Sequence, residues 1–182
     1  MRELSLNVLD IVQNSITAGA SLITVRVEED PSTDRLLIAI EDNGKGMTAE
    51  QVAQVMDPFY TTRTTRKVGM GIPLFRMAAQ MTGGDLSIES TPGIGTTVTT
   101  HYTLSHIDRM PLGDMVDTMV TLIRLNPDLD FVYRHRVADT TFEMDTRSLR
   151  EILGDVPLNL PDVMDWISGY LTEGLADLNS QA

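Results

Sequence analysis

Cysteine is absent from the 182-residue chain, which excludes disulfides, thiolate catalysis and cysteine-held zinc. The lack fits a reducing compartment, and a cytoplasmic location is expected. The three histidines, His101, His106 and His135, show no metal-binding spacing. No apolar run approaches the roughly 20 residues that span a bilayer, and the N-terminus has no signal-peptide layout. No membrane partner is therefore expected. Positive charge is also scarce: 14 lysines and arginines face 26 acids, for a net charge of −12. That balance argues against a nucleic-acid partner, which would need cations for phosphate contacts. Neither a P-loop nor a nucleophile elbow occurs.

The charge is unevenly spread. Residues 1–104 hold 8 basic and 12 acidic side chains (net −4), whereas residues 105–182 hold 6 and 14 (net −8). The acidic second part reads as a solvated surface, with a docking face for a basic partner as the alternative. The first part concentrates its cations. Within Asp57–Leu74 (DPFYTTRTTRKVGMGIPL), Arg63, Arg66 and Lys67 follow the hydroxyls of Thr61 and Thr62. They run directly into Gly69, Met70, Gly71 and Ile72. Glycine-freed backbone N–H groups at a helix start, beside clustered cations, suit a phosphate. The stretch reads as a lid and phosphate cradle.

Taken in order, residues 3–18 read as an amphipathic helix ended by Gly19. Its polar residues Glu3, Asn7, Asp10, Asn14 and Thr17 fall in one stripe roughly 80° wide at 100° per residue. The stripe is either a solvated face or a wall of the site. Residues 22–29 and 35–41 alternate as strands. The second runs into Asp42-Asn43-Gly44-Lys45-Gly46-Met47, which either admits a ligand close to the backbone or simply caps the helix near Thr48. A helix from Gly71 is expected to bury Leu74, Met77, Ala78 and Met81. Two strands, 85–90 and 96–104, flank Thr91-Pro92-Gly93-Ile94-Gly95. A helix over 112–124, a hairpin turning at Ala138-Asp139, a short helix from 146 and a last helix opened by Pro161 complete the pattern. Trp166, near the edge of that last helix's apolar face, reads as a core residue, with an interface residue as the alternative.

The ordered set of Asp10/Asn14, Asp42-x-Gly44-x-Gly46, the basic lid with Gly69/Gly71, and Gly93-x-Gly95-Thr96-Thr97 resembles the GHKL superfamily. That group holds the gyrase-type, heat-shock chaperone, histidine kinase and mismatch-repair ATPases. The short lid looks most like the catalytic domain of sensor histidine kinases. The resemblance covers residues 3–104. It implies an α+β, two-layer Bergerat sandwich over residues 1–105, with 106–182 as a C-terminal α+β extension.

The resemblance also implies ATP and Mg²⁺ as ligands. Asp42 would accept a hydrogen bond from the adenine amino group, and Gly44, Gly46 and Met47 would close around the base. Asn14 would hold the metal through its amide oxygen. Thr61, Thr62, Arg63, Arg66, Lys67, Gly69, Met70, Gly71 and Ile72 would bind phosphates, with Thr96 or Thr97 nearby. Asp10 would be the general base, or would only hydrate the site. Two departures stand out: Pro73 replaces a third glycine, and the phosphoacceptor helix that usually precedes such a domain is expected to be missing. His106 reads as a loop histidine despite a faint likeness to an acceptor motif. The expected activity is a stand-alone kinase acting on a separate protein. The alternative is an ATPase or nucleotide-gated interaction module.

Overall fold

The structure is a computed structural model and describes residues 3–59 and 70–182. Helix α1 (Leu4–Thr17) buries Leu4, Val8, Ile11 and Val12 at helical spacing, and Gly19 at φ 77° turns the chain out of it. Strands β1 (Leu22–Asp30) and β2 (Arg35–Asp42) pair antiparallel. Helix α2 (Ala49–Met56) opens on a capping box between Thr48 and Gln51. Helix α3 (Gly71–Gln80) leads to strands β3 (Leu86–Thr91) and β4 (Gly95–Thr103). The second half supplies helix α4 (Met115–Leu125), hairpin β5 (Asp130–Val137) and β6 (Thr140–Asp145), helix α5 (Thr146–Leu153) and helix α6 (Pro161–Ala176).

The described residues form one six-stranded sheet in the order β3-β4-β2-β1-β5-β6. All neighbours are antiparallel except β1 and β5, which run parallel with Ile23 beside Phe131 and Val27 beside His135. One sheet face carries Ile23, Val25, Val27, Leu36, Ile38, Ile40, Val98, Phe131 and Tyr133, all buried. The alternate positions, including Arg26, Glu28, Arg35, Thr97 and Arg134, form a polar outer face. This period of two is the reason for the two-layer α+β architecture: only one face is apolar enough to hold helices. Residues 106–182 are built into the same sheet and the same apolar core. The N–H groups of Leu4 and Ser5, at the start of α1, donate to the carbonyls of Pro111 and Leu112.

The inner face also takes in a fully buried charge. Glu29 on β1 is fully buried and accepts hydrogen bonds from His135 Nε2 (2.8 Å), Ser180 Oγ (2.6 Å) and the Gln181 N–H (2.8 Å). The tail after α6 is thereby fastened to the central strand.

Two packing expectations are overturned. Helix α3 buries Ile72, Pro73, Phe75 and Ala79, so Met77 and Met81 lie 55% and 63% exposed. The helix has a second apolar stripe at the same spacing, and Phe75 on it meets Tyr102 of β4. Trp166 is 54% exposed, because α6 turns Met164, Ile167 and Leu171 inward instead.

Candidate functional site

The site is assembled where α1, the end of β2 and the β3–β4 turn meet on the inner face. Asp42 ends β2 opposite Thr96 of β4. Its Oδ2 accepts from the buried Ser15 of α1 at 2.6 Å, and its Oδ1 accepts from the Gly44 N–H at 2.9 Å. Each carboxylate oxygen has two lone-pair sites. The residue is thus held in one orientation with accepting capacity left on both oxygens.

The loop after Asp42 is clamped from two sides. The Lys45 N–H donates to the Ala18 carbonyl at 2.9 Å, and the Gly93 N–H donates to the Lys45 carbonyl at 2.7 Å. Asn43 is committed to structure, since its Oδ1 accepts from the N–H groups of Ser21 and Leu22. The Met47 N–H donates to Ser90 Oγ (2.8 Å), which is also bonded to Thr96 Oγ1 (2.7 Å). Glycine is required at Gly46, where φ is 68° and a Cβ would be driven into the Thr91 carbonyl. A Cβ on Gly44 would sit 2.9 Å from the Ala18 carbonyl oxygen. The capping reading of the loop is realised, for Thr48 caps α2, and the glycines let the backbone pass close to its own neighbours at Ala18 and Thr91.

Asp10 and Asn14 lie one turn apart on α1, both exposed on the side away from the buried Val8, Ile11 and Val12. The start of α3 is beside them, for a Cβ on Gly71 would lie 3.3 Å from Asp10 Cβ. Among the described residues no side chain caps α3, whose N-cap is the exposed Met70. The first-turn N–H groups of Gly71 and Ile72 are the orphan donors that every helix start presents. Pro73 stands in that same turn, where its missing N–H removes no intrahelical bond.

Asp42, Gly44, Gly46, Met47 and Thr96 are thus gathered at the end of β2 beside Ser15 and Ala18 of α1, while Asp10, one turn from Asn14, lies beside Gly71, between Met70 and Ile72 at the start of α3. Thr97 is not among them: it sits between Glu41 and Glu89 on the outer face. Thr61, Thr62, Arg63, Arg66, Lys67 and Gly69 lie outside the described residues. His106 is in the loop after β4, where its Nδ1 accepts from the Asp108 N–H at 3.1 Å. Ser15 and Ser90 were missed by sequence reasoning. Ser15 had one usable signal, a polar residue on the apolar side of α1; Ser90, in an alternating strand, had none.

Residues 2–106, more than half the chain, match the model of the histidine kinase-, DNA gyrase B- and HSP90-like ATPase family. The chain belongs to that family. It is 33% identical over 117 residues to the non-motile and phage-resistance protein of Caulobacter vibrioides, covering 59% of this chain and 14% of that protein. It is 33% identical over 89 residues to the sensor histidine kinase ZraS of Klebsiella oxytoca (48% and 19%). It is 30% identical over 87 residues to sporulation kinase C of Bacillus subtilis (48% and 20%). The chain therefore spans about a fifth or less of the length of these relatives. The N-terminal domain of a DNA repair protein shares the fold, with a TM-score of 0.53 at 14% identity over 80% of this chain and 53% of that one. This histidine kinase-type domain is an ATP-binding one, and no helix among the described residues is long and apolar enough to cross a membrane.

Proposed function

We propose that this histidine kinase-like ATPase domain binds Mg²⁺–ATP on the inner face and transfers the γ-phosphoryl group to a separate protein in the cytoplasm. The observation that carries the reading is Asp42, an oriented carboxylate with spare acceptor sites above a glycine-lined loop. An adenine amino group supplies the matching donor, which a guanine carbonyl at the same position does not. Asn14 would hold Mg²⁺ through its amide oxygen. Mg²⁺ would offset charge on the phosphates. The α3 N–H groups would do the same, as would the cations Arg63, Arg66 and Lys67.

In the transfer, a nucleophile of the partner forms a bond to the γ-phosphorus as the bond to the β–γ bridging oxygen breaks, and ADP leaves with that electron pair. Where the nucleophile is a hydroxyl, Asp10 takes its proton. The kinase names of two relatives support this reading. A second reading, a nucleotide-gated interaction module, draws on a different observation. Strand β1 begins against Asn43 of the cradle loop and ends against the tail at Glu29, so the two regions share one strand.

Incubation with γ-labelled ATP and Mg²⁺, alone and with cell extract, separates the two. Label on a partner protein supports transfer; free phosphate alone supports the second reading. Asn14→Ala is expected to abolish Mg²⁺-dependent nucleotide binding. Asp10→Asn is expected to keep ATP binding and lower turnover by about a hundred-fold or more; unchanged turnover would remove Asp10 as the base.

A further inference from the structure

Helices α5 and α6 leave a groove of about 350 Å³ between them, lined by Leu149, Ile152, Leu153, Val163 and Trp166 with Asp162 at its edge. Its apolar walls are open to solvent: Ile152 is 82% exposed and Trp166 54%. The Trp166 ring stacks on Tyr170 at 5.2 Å and 8°. Tyr170 packs against Phe142 and donates its hydroxyl to the Glu143 carbonyl at 3.2 Å. This wall is fixed before anything docks, so little rotamer freedom remains to be lost on binding.

Charge identifies the occupant. Residues 151–182 contain six acids, Glu151, Asp155, Asp162, Asp165, Glu173 and Asp177, and no lysine or arginine; the two arginines of α5, Arg147 and Arg150, are already paired with Asp145 and Asp130. All six are exposed. We propose that this groove receives an amphipathic helix of a partner protein, its apolar side seated on Ile152 and Trp166 and its flanks carrying lysine or arginine. Apolar anchors at helical spacing fill such a groove, and the flanking charges set specificity and encounter rate. A second copy of this chain would bring acid against acid, and an anionic membrane surface would be repelled for the same reason. The proposal is independent of the nucleotide reading.

Trp166 is the only tryptophan in the chain, so its fluorescence reports the groove directly. The probe is a stapled, tryptophan-free helix of leucine and lysine, with a leucine and glutamate twin of equal length. The lysine peptide is expected to give a saturable, salt-sensitive change in Trp166 emission, and the glutamate twin none. Ile152→Ser, at an exposed position, is expected to leave the thermal midpoint unchanged and weaken binding about ten-fold. Asp162→Asn is expected to flatten the salt dependence. Equal binding of the two peptides, an Ile152→Ser protein that binds as the parent does, or a parent without saturable change would each overturn the proposal. So would a sedimentation profile showing the groove closed by self-association, or Trp166 responding to anionic vesicles in place of the peptide.

Discussion

Glu29 takes a carboxylate into the centre of the molecule, and its neighbours determine when it stays ionised. Burial pushes its pKa up, but the hydrogen bonds from His135, Ser180 and the Gln181 N–H outweigh that and hold it below the ordinary 4.5. The unfolded chain therefore takes up this proton at a higher pH than the folded one. The contribution of Glu29 to stability is complete above about pH 4.5 and is lost as the pH falls through its lower folded value. Denaturant titrations at pH 7 and below 4.5 are expected to show this limb, and Glu29→Gln to flatten it. At pH 7 that substitution is expected to cost about 2 kcal/mol, the scale of hydrogen bonds to a charged group. The alternation of residues 22–29 already put Glu29 on the same side as Val25 and Val27, so its burial was written in the pattern. Its partners were not, because His135 and Ser180 are more than a hundred residues away and carry no local mark.

Among the elements, the loop from Asp42 to Met47 is the least tolerant of change. Gly46→Ala would set a methyl group into the Thr91 carbonyl while keeping a left-handed φ, and two backbone segments cannot both yield. A loss of more than about 2 kcal/mol in unfolding free energy is expected, measured by urea denaturation. A loss within a few tenths would mean that the loop relaxes away from β3. The glycines of this loop were legible because only they permit such an approach. The phase of α3 was not: Ile72, Phe75 and Ala79 compete with Leu74, Met77 and Met81 at identical spacing, and periodicity cannot choose between two apolar stripes. Tertiary contact with Tyr102 decides it.

At the scale of the whole molecule, each helix and strand was legible from its own repeat, and the joining of the two halves was not. Pairing β1 with β5 requires contacts across more than a hundred residues, which no local periodicity encodes. A chain cut after residue 105 keeps the cradle residues but strips β1 of one neighbour and α1 of α4. Such a fragment is expected to lose the sharp urea transition of the full chain and its near-ultraviolet circular dichroism. An equally sharp transition would make residues 106–182 an appendage in the energetic sense.

The parallel pairing of β1 has a consequence for biosynthesis. β1 leaves the ribosome more than a hundred residues before its second neighbour, which is complete only when Val137 emerges. Until then one edge of an apolar strand has nothing to pair with, an invitation to other nascent chains. Slow translation between these points would lengthen that exposure, and a holdase chaperone acting during synthesis would shorten it.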